Sequence, residues 1–235
     1  MNPIISILIP AYKKVEVLSN TLASFHQRWS GKNSFEFMIL ANSDDTALLA
    51  FLSEEKKQRS NLNVLTQDKF RGWEHYGRYL DLLAVAATGD FLMDAGNDTV
   101  MMTDNWDVEL ARLVTDPRHD AKLIVLHSYN GSAGGNSWPV LTRSFYEATG
   151  SVWPGICGDL YLCQLADTVG ATIQTQIEFK HEPTTSWTPL GTEVLTRGLN
   201  DYRSEEGFRR FERDKARLGL LLQRTPTGFL PNDYR

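Results

Sequence analysis

Cysteine is scarce in this sequence: Cys157 and Cys163 are the only two among 235 residues. A disulfide-built secreted fold carries more, and the pair fits no metal-ligand spacing, so a reducing compartment, the cytoplasm, is expected. A basic surplus is missing as well. The formal charge is −5 with Lys and Arg scattered along the chain, which disfavours a nucleic-acid acceptor. Long apolar runs are also absent. The N-terminal run Ile4–Ile9 is short of a signal-peptide core and its basic residues follow it rather than precede it. Nothing approaches the ~20 apolar residues of a membrane helix, so any meeting with a membrane is expected at its surface. There is no internal repeat, linker or low-complexity segment. With 42% hydrophobic and 23% charged residues the chain is neither disordered nor fibrous. Its length suits one large core better than two.

What is present is an alternation of strand and helix signals. Ile4–Ile9 is a continuous aliphatic run closed by Pro10, as in a strand buried on both faces. Val15, Leu18, Leu22 and Phe25 then recur at helical spacing within residues 13–28. Residues 35–41 read as a second strand, ended by Asn42, Ser43, Asp44 and Asp45 and followed by a helix carrying Leu48, Leu49 and Leu52. A strand at 63–66, a helix at 73–87 with Tyr76, Leu80, Leu83 and Ala84 on one side, and a strand at 90–93 complete the pattern. Three β-α units in the first hundred residues predict a parallel sheet with right-handed crossovers.

The second half is less regular. A helix is expected at 106–114, a strand at 122–127, a Gly, Ser and Asn loop at 129–137, a strand at 138–141 and helices at 143–149 and 159–169. A strand at 172–179 delivers His181 to its end, and residues 192–223 read as a packed helical tail.

Ligands of an open parallel sheet collect at the carboxyl ends of its strands, and the polar residues of this sequence gather there. Pro10, Ala11 and Tyr12 follow the first strand, Asn42 to Asp45 the second, and Asp94, Ala95, Gly96, Asn97 and Asp98 the fourth. Asp and Asn after a strand also serve as turn residues and helix caps. Asn97 and Asp98 precede no obvious helix, so a ligand-binding role is the expectation for them.

The stretch ISILIPAYKKVEVLSNTLASF resembles the opening strand and helix of family 2 glycosyltransferases, and ATGDFLMDAGND resembles their strand leading to the DxD metal motif. The Asp-rich turn after strand two, the pair Gly72 and Arg78, and then PVLTRSFYEATG, GDLYLCQLADTVG and FKHEP follow in the family's order. The resemblance covers roughly residues 3–190. It implies an α/β chain with a single GT-A domain, Rossmann-like with a mostly parallel sheet, at 1–190, divided into a nucleotide-sugar half (1–100) and an acceptor half (101–190). Residues 191–235 form a C-terminal helical extension packed on it.

The same resemblance implies roles. A nucleotide sugar leaves as a diphosphate of growing negative charge, which a hard cation stabilises. Mn²⁺ or Mg²⁺ is expected, with Asp98 as ligand and His181 completing the shell; an imidazole favours Mn²⁺. The acidic triplet falls on Gly96, Asn97 and Asp98, so two of its carboxylates are missing, and Asn97 offers only a neutral oxygen. Pro10, Ala11, Tyr12, Asn42 and Asp44 are placed around base and ribose, and Arg71 and Arg78 are candidates for the diphosphate, with solvated helix arginines as the alternative. Asp159 matches the general base of inverting transfer, with a helix N-cap as its structural alternative; the acidic residue that often precedes it is here Gly158. Trp138, Trp153, Trp187 and Tyr129 are aromatic candidates for an acceptor platform, against a core role. The loop at 129–137 is a candidate lid.

The expected function is therefore inverting transfer from a nucleotide-diphosphate sugar, a UDP-sugar first, to a glycan or another hydroxyl acceptor. The rival is a non-catalytic nucleotide-sugar or glycan-binding module on a degenerate GT-A scaffold, which the thinned triplet favours and the joint presence of Asp98, Asp159 and His181 opposes. A sugar nucleotidyltransferase would need a glycine-rich loop after strand one, where this chain has PAYKK. The sequence carries no signal for an oligomeric state.

Overall fold

The computed structural model describes residues 4–68, 72, 75–114, 122–128, 139–155, 157–181, 196–201 and 203–224. Among them eight strands form one sheet: β1 (Ile4–Ala11), β2 (Ser34–Asn42), β3 (Leu62–Gln67), β4 (Phe91–Asp94), β5 (Thr99–Met101), β6 (Leu123–Ser128), β7 (Pro139–Thr142) and β8 (Thr172–His181). The spatial order is β3-β2-β1-β4-β7-β6-β8-β5. The first four run parallel, as the β-α alternation predicts, and β6 pairs β8 parallel. β7 lies antiparallel to both β4 and β6, and β5 antiparallel to β8. β5 escapes sequence reading because a three-residue strand has no period to detect.

The longer helices among the described residues are α1 (Val15–Gln27), α2 (Thr46–Gln58), α3 (Tyr76–Ala86), α4 (Trp106–Val114), α5 (Arg143–Thr149), α6 (Gly158–Thr168) and α7 (Glu205–Arg224), with a further helical turn at 196–201. Strand side chains alternate between faces, so β1 sends Ile5, Ile7 and Ile9 into one core and Leu8 into another. The first core holds Leu18, Leu22 and Phe25 of α1, Leu48 and Leu52 of α2, and Trp106 and Leu110 of α4. The second joins Leu80 and Leu83 of α3, Phe145 of α5, Leu162 and Leu165 of α6, and Leu218 of α7. Each such side chain gains about 1.5–3 kcal/mol on leaving water. Leu218 is fully buried, and Asp214 of the same helix is buried and accepts a hydrogen bond from Tyr161 Oη at 2.7 Å, so α7 closes this second core.

Polar ties fix the strand ends in register. Ser6 Oγ, inside β1, donates to Glu36 Oε1 at 2.7 Å and accepts from the Gly89 N–H at 2.9 Å, joining β1, β2 and the turn into β4. Arg143 donates to the carbonyls of Ala84, Ala87 and Gly89. The Ala84 carbonyl, in the last turn of α3, and two carbonyls just beyond the helix are thereby satisfied.

Candidate active site

The order β2-β1-β4 sets three carboxyl ends side by side, and the polar residues named from the sequence lie along that row. Pro10 and Ala11 are buried in β1, opposite Leu40 and Ala41 of β2. Tyr12 follows at the mouth, with Lys13 Nζ 4.9 Å from its ring centre, a cation over an aromatic face. Lys13 and Lys14 both have left-handed backbone, with φ of 56° and 55°. Such a conformation costs a non-glycine residue roughly 1–2 kcal/mol. Asp45 holds the turn in place: Oδ2 accepts the Lys13 N–H at 2.7 Å, and Oδ1 accepts the Leu48 N–H at 3.2 Å as the cap of α2. Asp45 is thus structural, whereas Asp44 beside it is exposed. Asn42 is buried, and its Oδ1 accepts from Gln67 Nε2 at 3.2 Å.

The chemistry centres on β4. Asp94, its last residue, is 1% exposed and accepts a hydrogen bond from Tyr76 Oη at 2.7 Å. Burial pushes its carboxyl up to about 7; the Tyr76 bond opposes the rise, and the charges of Asp159 and Asp98 add to it. Burial likewise raises the Tyr76 phenol well above its ordinary value, and Asp94, Asp98 and Asp159 all add to that rise. Asp94 of β4 touches the phenol, and the charges of Asp98 in the β4–β5 turn and of Asp159 in α6 both reach it. Tyr76 and Asp94 are the members that sequence reading did not name as site residues: Tyr76 counted only as part of the α3 stripe, and Asp94 only as one of the polar residues at the end of the fourth strand. Asp94's place at the end of a buried strand was the available signal.

Asp159 is the second residue of α6, whose cap position is Cys157. It is therefore not the N-cap, although its Oδ1 accepts the neighbouring Leu160 N–H at 2.8 Å. Burial raises its carboxyl above the usual range, and the N–H groups of Leu160 and of Asp159 itself oppose that rise. Asn97 is anchored to α1, its carbonyl accepting from Thr21 Oγ1 at 2.9 Å. His181 ends β8 directly opposite Thr99, one residue from Asp98. The side chain of His181 lies outside the described residues, as do Arg71, the 129–137 loop with Tyr129, Trp138 and Trp187. Arg78 is exposed on α3, where it lines a cavity together with Trp153.

Two glycines at the site have close neighbours where a side chain would stand. A Cβ on Gly96 would lie 2.6 Å from Asp98 Oδ1, the end of a side chain that can turn away. A Cβ on Gly158 would lie 2.3 Å from Trp153 Cδ1 and Cγ, so the indole covers the place of the acidic residue that often precedes the base.

Among the described residues, no three of His, Cys, Asp and Glu form a group able to hold a metal. The donor chemistry still suits a hard cation. Asp98 supplies a carboxylate, and the adjacent Thr99 Oγ1 is buried with no hydrogen-bond partner among the described residues.

Comparison with solved structures follows from this geometry. A mannosyltransferase from Pyrobaculum calidifontis, in complex with GDP-Man and Mn²⁺, is similar with a TM-score of 0.66 at 12% identity over 94% of this chain and 71% of that one. TarS of S. aureus is similar with a TM-score of 0.60 at 12% identity over 86% of this chain. The TarS complex with UDP-GlcNAc gives 0.59 at 11% identity over 91%. The chain has the GT-A fold. It spans 40% of the length of the longer TarS structure. No family model and no curated protein sequence matches it.

Within this GT-A chain, Asp94 sets a pH dependence of stability. Its folded value of about 7 exceeds the ordinary 3.8, so between those limits the folded state binds more protons than the unfolded one. The contribution of the neutral carboxyl is complete below about pH 4 and is lost as pH rises through 7. Asp94→Asn cannot titrate and keeps an acceptor for Tyr76. Without divalent cation, its Tm relative to the parent protein should climb between pH 5 and pH 8. An equal gap at both pH values would remove the buried ionisation.

Proposed function

We propose that this chain is an inverting glycosyltransferase that moves a sugar from a nucleotide-diphosphate sugar, foremost a UDP-sugar, to a hydroxyl acceptor. One observation supports the reading: the buried Tyr76–Asp94 pair at the end of β4 feels the charges of both Asp98 and Asp159. In this reading Tyr12, Asn42 and Asp44 receive the base and ribose against the backbone of Pro10 and Ala11. Asp98, with Asn97 and Thr99 beside it and His181 across the β5–β8 pair, would hold Mn²⁺ or Mg²⁺. When bound, the cation supplies positive charge against the leaving diphosphate.

Asp159 accepts the proton of the acceptor hydroxyl as its oxygen attacks the anomeric carbon. The bond to the diphosphate breaks on the opposite face, which inverts the configuration. A burial-raised carboxyl is a stronger base than a solvated one. Asp94 and Tyr76 touch neither reactant in this scheme; their hydrogen bond fixes the floor beneath the charged groups.

The test is a thermal-shift screen of nucleotide sugars with and without Mn²⁺. Stabilisation should follow the nucleotide and require the metal, since a ligand held only by the folded state raises its stability by mass action. Asp98→Ala should weaken metal-dependent nucleotide binding by about tenfold or more. A shift unaffected by metal in the parent protein would sink the cation role. The glycines at 96 and 158 favour a second reading, a binding module without turnover; stabilisation by a donor together with no transfer to any acceptor would select it.

A further inference from the structure

A cavity of about 340 Å³ opens between α3, the α5–α6 loop and α7. Its size falls at the lower end of small-molecule sites, roughly 300–1,000 Å³. It is lined by Arg78, Arg210 and Arg213, by Asp81 and Asp214, and by Trp153. Both carboxylates are engaged by the fold. Asp81 accepts from Ser151 Oγ at 2.9 Å and the Val152 N–H at 2.8 Å. Asp214 accepts from Tyr161 Oη at 2.7 Å and Arg213 Nε at 2.9 Å.

The cations are less committed. Arg78 makes no hydrogen bond or ion pair among the described residues. Arg210 gives one nitrogen to Asp201 at 3.2 Å, stands over the Tyr161 ring at 5.3 Å, and keeps a buried Nε with no partner. A buried donor without an acceptor is costly unless a ligand supplies one. Arginine recognises carboxylate and phosphate oxygens through paired N–H groups.

We propose that this cavity binds an acidic sugar, with its carboxylate or phosphate on Arg78 and Arg210 and its ring beside Trp153. Trp153 also packs edge-on against Tyr76 at 5.4 Å, so the cavity adjoins the carboxylate cluster. The acidic sugar is then the acceptor or its neighbouring unit. That last step rests on the transferase reading; the binding itself does not.

Calorimetric titration of glucuronate, glucose 6-phosphate, glucose and inorganic phosphate into the full chain tests this. Binding of either acidic sugar, with glucose at least tenfold weaker, supports the site, and the tighter of the two identifies the oxyanion. Arg78→Ala should weaken that binding by about tenfold, and Arg78→Lys by less. Arg78 is exposed, so an unchanged Tm will show that both variants fold. No binding of either acid, equal affinity for glucose, or affinity unchanged by Arg78→Ala overturns the proposal. Inorganic phosphate bound as tightly as glucose 6-phosphate overturns the sugar component. A parallel UDP-sugar titration with Asp98→Ala separates the two readings, because that substitution should alter donor binding and leave the acidic sugar unaffected.

Discussion

Asp159→Asn is expected to lower kcat by about 10²–10⁴-fold while the nucleotide sugar binds within about twofold of the parent protein. The amide keeps the shape of the carboxylate and can still accept the Leu160 N–H through its oxygen, so α6 should start as before. What disappears is the basicity of the carboxylate, since an amide oxygen keeps its lone pairs but is too weak a base to take the acceptor proton. Burial raises the Asp159 carboxyl, so the acid limb of the parent kcat/KM profile should lie above the ordinary carboxylate range, with activity rising as pH climbs through it. The residual rate of the Asn variant should lack that limb. Turnover within threefold of the parent, or an acid limb that survives the substitution, would take Asp159 out of the mechanism. Asp94 titrates nearby at about 7, so the two limbs are told apart by Asp94→Asn, which should move the stability profile and leave the Asp159 limb in place.

The parallel half of the sheet was legible because strands buried on both faces leave continuous aliphatic runs, as in Ile4–Ile9, and α1 leaves a stripe at three- and four-residue spacing. The antiparallel placement of β7 between β4 and β6 was not, because strand direction depends on long-range packing that a local pattern does not encode. A strand-end position led to Asp98, whereas Asp159, at the start of a helix, came from the family resemblance alone. Strand-end positions also pointed at Asp44 and Asp45 together, and only the Lys13 and Leu48 N–H bonds show that Asp45 is the structural member. Arg78 was grouped with the diphosphate through the family resemblance, and the structure adds that it lines a cavity shared with residues of α7, which its place in the chain does not reveal.

Gly158→Asp, which would restore the acidic residue that often precedes the base, is expected instead to destabilise the chain. The indole of Trp153 occupies the position of the missing side chain: Cδ1 and Cγ lie 2.3 Å and Cδ2 2.7 Å from where a Cβ would stand. Trp153 cannot simply withdraw toward α3, because its carbonyl oxygen lies 2.1 Å from the Cβ position of Gly77. One tryptophan is therefore wedged between two helices at two glycines. Overpacking of this kind costs about 1–3 kcal/mol, and a chain of this size loses roughly 2–4 °C of Tm for each. The added carboxylate would deepen the loss by entering a field that already holds three. Displacing the indole also removes the edge contact on Tyr76 and with it the support of the Tyr76–Asp94 bond, so activity should fall even where the protein folds. A double-mutant cycle identifies the cause: Gly158→Ala should lower Tm in the parent protein and be close to neutral in a Trp153→Ala background, since the clash then has no second partner. Equal losses in both backgrounds would mean that the cost lies in the backbone of α6 rather than in the tryptophan.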